Sequence, residues 1–91
     1  MKITKIKMKR GCANSNNLLE IDSLYIGDCG NPGFFEKSAL HDFLKDNPGS
    51  IQVGIYPYPY VIPATSSRGE KYVRSSANDY LRDNLLSLPR E

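Results

Sequence analysis

Ser38-Ala39-Leu40-His41-Asp42-Phe43-Leu44-Lys45 runs through Asp46-Asn47-Pro48-Gly49 into Ser50-Ile51-Gln52-Val53-Gly54-Ile55-Tyr56. Ala39, Leu40, Phe43 and Leu44 recur at helical spacing, which predicts a helix over about Phe35 to Lys45 with one apolar face. Its start is open at this level: Asn31-Pro32 suits an N-cap followed by the first helical position, and Ser38 suits the cap of a shorter helix. Its end is not, because the residue before Pro48 avoids helical backbone and Gly49 favours a turn. The period then switches from helix to strand, with Ile51, Val53 and Ile55 facing a core. One helix feeding a strand makes this an α+β chain.

Working outward, Ile3 to Lys9 alternates with Thr4, Ile6 and Met8 on one face and Ile3, Lys5, Lys7 and Lys9 on the other. Turn residues from Gly11 to Asn17 lead into a second strand, Leu18 to Ile26, so an antiparallel hairpin is expected. Leu19 and Ile21 share a parity that Leu24 and Ile26 break, which requires a bulge or bend near Asp22-Ser23. Pro57, Pro59 and Pro63 remove donors from Tyr56-Pro57-Tyr58-Pro59-Tyr60-Val61-Ile62-Pro63, which fits an edge strand or a polyproline-like arm. Lys71 to Arg74 reads as a fourth strand, and Leu85, Leu86 and Leu88 as a helical turn capped by Asp83 and tucked under the sheet. The expected architecture is a mainly antiparallel four-stranded sheet with one packed helix and a short C-terminal helical turn.

The 91 residues suit a single domain, 1–91, and at 40% hydrophobic and 24% charged the usage is that of an ordinary globular chain. No apolar run reaches membrane-spanning length and the first residues lack a secretory signal, so a cytoplasmic protein without a membrane partner is expected. Twelve basic against ten acidic residues give a net charge of +2, too little for recognition of a nucleic-acid polymer by charge alone. Cys12 and Cys29 read as reduced loop thiols, and with His41 they are too few and too far apart for a zinc site, so no metal or cofactor is expected. The loop Gly27-Asp28-Cys29-Gly30-Asn31-Pro32-Gly33 lacks the Gly-Lys-Ser/Thr ending of a phosphate cradle. Cys29 with His41 as base has the residue types of a thiol nucleophile but no orienting third group; the plain reading is a loop cysteine and a solvated helix histidine.

The richest cluster is Arg68, Lys71, Tyr72, Arg74, Asn78, Asp79 and Arg82, whose guanidinium, amide and carboxylate groups suit a phosphate together with a base or ribose. Tyr56, Tyr58 and Tyr60 share one side of an extended segment and would form a stacking platform beside it. The competing reading packs the tyrosines on the sheet or on a second subunit, and pairs Arg74 with Asp79 or Asp83.

Tyr72-Val73-Arg74-Ser75-Ser76-Ala77-Asn78 followed by Asp83-Asn84-Leu85-Leu86-Ser87-Leu88-Pro89 resembles the signature of the family catalogued as domain of unknown function 3892. The resemblance covers most of the chain, with its specific part in the last twenty residues; Ser75 stands where the pattern has threonine, and the Tyr-Pro-Tyr-Pro-Tyr stretch is an insertion. It implies a shared fold and a phage or prokaryotic origin, with no reaction attached. Three functions are therefore weighed. The leading one is a non-enzymatic binding protein that captures a nucleotide-derived ligand, such as a defence signal, through Tyr56, Tyr58, Tyr60, Arg68, Tyr72, Arg74, Asn78, Asp79 and Arg82. The second is an interaction module or homo-oligomer built on the Tyr-Pro arm. The third is a small hydrolase using Cys29, His41 or Asp79.

Overall fold

The computed structural model describes residues 1–76 and 83–91. Its main sheet has four strands in the order β3-β2-β1-β4, namely Gly33–Glu36, Ile21–Ile26, Lys2–Met8 and Gln52–Val53. β1 pairs antiparallel with β2, β2 pairs antiparallel with β3, and β1 pairs parallel with β4. A second, two-stranded antiparallel sheet joins β5 (Val61–Thr65) to β6 (Lys71–Ser75), so the expected fourth strand forms a hairpin of its own. The one α-helix among the described residues, α1 (Lys37–Asp46), packs on β5 and β6 and reaches β2 and β3. Among the described residues no helix is long and apolar enough to cross a membrane.

The alternation expected in β1 is interrupted by a bulge. Ile3 pairs with Ile26 and Lys5 with Tyr25, so Thr4 is an extra residue against a single step of β2. The bulge resets the parity: Ile3 turns inward with Ile6 and Met8 into the core, while Thr4 is exposed with the lysines. A compensating extra residue lies in β2 at Asp22, between the pairs Lys7 with Ser23 and Met8 with Ile21, where the broken parity placed it. The second strand is shorter than expected, because Leu18–Glu20 forms a 3-10 turn whose Leu19 amide donates to Asn17 Oδ1 at 3.0 Å.

The helix begins two residues later than expected. Phe34 and Phe35 belong to β3, opposite Tyr25 and Leu24, because aromatic side chains gain more from cross-strand partners here than from a helical first turn. Neither Asn31 nor Ser38 is the cap: Glu36 holds that position in extended geometry without a side-chain bond. The buried face is Lys37, Leu40, His41 and Leu44, which leaves Ala39 and Phe43 outside and corrects the solvated histidine: His41 is only 6% exposed. The stop falls where Pro48 demanded it, with the Asn47 amide donating to the Phe43 carbonyl at 2.9 Å and Gly49 at φ 77°.

After β4 the chain turns away at Gly54, which has no room for a side chain. Its amide donates to the Ile3 carbonyl, and an added Cβ would lie 2.8 Å from that oxygen. Gly54→Ala is therefore expected to destabilise the fold by roughly 1–3 kcal/mol, read as a lower urea midpoint. The Tyr-Pro segment is not the extended arm of the sequence reading. The Tyr56–Pro57 peptide is cis, Tyr58 has φ 58°, and the Tyr58 amide donates to the Ile55 carbonyl at 2.7 Å, closing a turn. Pro63 does sit in a strand, where the alternation from Val61, whose amide bonds the Ile51 carbonyl, aims its nitrogen away from β6.

The carboxyl end matches its reading. Asp83 Oδ1 accepts from the Leu85 amide at 2.9 Å and starts a 3-10 turn, Asn84–Ser87, while Oδ2 accepts from the Ser75 amide at 3.0 Å and ties that turn to β6. Leu85, Leu86 and Leu88 are buried in one cluster with Ile3, Ile6, Leu24, Leu44, Val61 and Val73. Ile6 then bonds Pro89 and Glu91 through its amide and carbonyl, extending the β1 edge beyond β4.

Candidate functional site

The predicted residues separate into three places. Arg68 sits exposed in the β5–β6 turn, its amide donating to Ser66 Oγ, at the opposite end of the hairpin from Tyr60. Tyr72 and Arg74 share a face of β6, opposite Ala64 and Ile62. Asn78, Asp79 and Arg82 lie outside the described residues. Tyr72 lines an open depression of about 580 Å³ with Asn16, Asn17, Leu18, Asp83 and Leu86. The Asp83 carboxylate there is already the acceptor for two backbone amides, which makes it a structural group.

Tyr56 and Tyr58 fall elsewhere, on a surface that the sequence does not announce, and Tyr60 stands between that surface and β6, its carbonyl accepting from the Ser76 amide at 2.7 Å. The Thr4 bulge puts Lys2, Lys5 and Lys7 on the outer side of the main sheet. One cross-strand row runs Lys5, Tyr25, Phe34 across β1, β2 and β3. Tyr25 and Phe34 meet edge to face with centroids 5.3 Å apart. Lys5 Nζ stands 4.6 Å from the Tyr25 ring centre and Lys7 Nζ 5.9 Å from that of Phe34. Gly27 makes room for Tyr25, since a Cβ there would approach its ring to 3.1 Å. The same side continues through Gln52, the β4 partner of Lys2, to Tyr60, the bridge partner of Gln52.

The loop after β4 folds over this side. Gln52 Nε2 donates to the Tyr58 carbonyl at 3.1 Å and the Val53 amide to that of Pro59 at 2.9 Å, which pins the loop on both flanks. Lys2 Nζ lies 4.2 Å above the Tyr58 ring, and Tyr58 meets Tyr56 edge to face at 6.1 Å. Tyr56 is 81% exposed. Each lysine on a ring gains a cation–π contact and keeps outward N–H donors for an anion. Lys5 pairs with Glu91 at 3.1 Å, an exposed pair that contributes about 0–1 kcal/mol, and a second carboxylate stands beside Lys2, where Asp28 Oδ1 accepts from the Lys2 amide at 2.9 Å.

The remaining polar clusters hold the fold. Lys37 is buried at the start of α1, with Nζ donating to the Leu19 carbonyl and pairing with Glu70 at 2.6 Å, while Lys9 reaches Glu70 at 3.4 Å. The Lys37 hydrogen bond and charge hold the Glu70 carboxyl below its ordinary 4.5, and Lys71 with His41 holds Asp42 below 3.8. Carboxyls lowered on folding stabilise the protein above their unfolded values, and that stability is lost as pH falls through the folded ones. The urea midpoint should therefore drop from about pH 6 to about pH 3, and drop less in Glu70→Gln.

The Cys12 thiol donates to Glu20 Oε2 at 3.0 Å, and Ser15 Oγ donates to the other oxygen. That bond and burial raise the thiol above its ordinary range and keep it protonated. Both cysteines are free. Cys29 donates to the Ile26 carbonyl at 3.6 Å, whereas His41 pairs with Asp42 at 3.1 Å. Serine at both positions should leave the urea midpoint nearly unchanged, because the hydroxyl at 12 preserves the bond to Glu20. Among the described residues no group of three or more His, Cys, Asp or Glu side chains is placed to hold a metal.

No curated protein and no solved structure matches the chain. The fold built around the Asp83-capped leucines has a family counterpart nonetheless: the model described as protein of unknown function (DUF3892) matches residues 2–89, and the chain belongs to that family.

Proposed function

We propose that the chain acts by binding, and that it captures a nucleotide-derived ligand without turnover on the outer side of its main sheet, as a sink for a nucleotide signal would. The observation that carries this reading is the repeated pairing of a lysine Nζ with an accessible aromatic ring, at Lys5 with Tyr25, Lys7 with Phe34 and Lys2 with Tyr58. A base stacks on a ring as the flexible lysine swings off its face, with about 1–3 kcal/mol per base lost on alanine substitution in single-strand binders, and the freed ammonium meets the phosphate. Of the residues expected from the sequence, Tyr56 and Tyr58 belong to this surface, Tyr60 stands between it and the end of β6, where its carbonyl accepts from the Ser76 amide at 2.7 Å, and Tyr72 and Arg74 lie along β6.

Calorimetry against nucleoside monophosphates should show binding that weakens with salt and falls by about fivefold or more in Phe34→Ser, an exposed site. Heats unchanged by that substitution would move the ligand away from the sheet.

A second reading rests on Tyr56, whose exposure suits an aromatic anchor for a second copy of the chain. Sedimentation expects a dimer that Tyr56→Ser dissociates; a monomer at high micromolar concentration removes it.

A further inference from the structure

We infer that the ligand carries two bases joined through phosphate, a dinucleotide unit; this rests on the nucleotide-binding reading above and adds its size. The surface holds two stations of the same construction. The first is the Tyr25–Phe34 edge-to-face pair with Lys5 and Lys7, and the second is the Tyr58–Tyr56 edge-to-face pair with Lys2. Their anchoring lysines, Lys2 and Lys5, lie on either side of the Thr4 bulge, two ladder steps apart, roughly 7 Å at the usual strand rise. One planar base cannot lie on both stations, whereas two bases linked by a phosphodiester place the linker over the lysines between them.

Tyr58 supplies an independent observation. Its φ of 58° is a left-handed conformation that asparagine or glycine adopts at less cost than a bulky aromatic residue. The hydrogen bonds from Gln52 and Val53 to the carbonyls of Tyr58 and Pro59 hold the loop there, with the ring presented above Lys2. A tyrosine kept at this position points to a use for its ring.

The test is calorimetry of the whole chain with adenosine monophosphate, a linear adenine dinucleotide and a cyclic one, on the unaltered protein and on Tyr58→Asn, which suits the backbone and removes the ring. The expected result is a dinucleotide affinity about tenfold or more above that of the monophosphate, an advantage lost in Tyr58→Asn, where the dinucleotide falls to the affinity of a single base. Preference between the linear and cyclic forms identifies an open strand or a closed ring as the source. Equal affinity for one base and two, or a dinucleotide advantage that survives Tyr58→Asn, overturns the second station and leaves the single-base site. No binding of any of the three removes both readings.

Discussion

Replacing Leu85 by alanine is expected to lower the stability by roughly 2–5 kcal/mol, the cost of a buried leucine that leaves a cavity its neighbours cannot close. Leu85 is fully buried in the cluster that joins the C-terminal turn to β1 and β6. Its position depends on Asp83, which bonds the Leu85 amide on one side and the Ser75 amide on the other. The turn is therefore a clasp between the second sheet and the β1 edge, where Ile6 takes up Pro89 and Glu91. A urea midpoint unchanged in Leu85→Ala would show that the clasp does not hold the fold.

The second large effect concerns binding. Changing Lys2, Lys5 and Lys7 together to glutamine should weaken a nucleotide ligand by about tenfold to a hundredfold and flatten its salt dependence, by about 0.7 in log–log slope for each phosphate contact removed. The fold should be nearly indifferent, since these ammonium groups stand at the surface and the Lys5–Glu91 pair is exposed. An affinity and a salt slope both unchanged would detach the ligand from β1.

Local signals in the sequence were legible wherever one residue dictates backbone or cap chemistry. Pro48 with Gly49 ended the helix, Asp83 capped the leucine turn, and the parity break located the Asp22 bulge. The Thr4 bulge was hidden because Thr4, Ile6 and Met8 already alternate correctly; only pairing with β2 shows that Ile3 must also be inside. Phe34 and Phe35 read into the helix because a short strand carries little periodicity, and their partners Tyr25 and Leu24 lie about ten residues away. The lysine–aromatic row is hidden for the same reason. Lys5, Tyr25 and Phe34 come from three strands, and no spacing along the chain announces their row. The exposed aromatics divide: the turn at Tyr58 brings Tyr58 and Tyr56 to β1, whereas Tyr60 leads into β5 beside the end of β6 and lies far from Arg68. A net charge of +2 likewise conceals three lysines on one side of one strand.

Whether the outer side of the main sheet takes up a nucleotide is read by an NMR titration of the whole chain with adenosine monophosphate. Fast-exchange shifts are expected to concentrate at Lys5, Lys7, Tyr25 and Phe34 and to fade as salt is raised. Shifts confined to the depression lined by Tyr72, Asn17 and Leu86, or none at millimolar ligand, would contradict a ligand surface there.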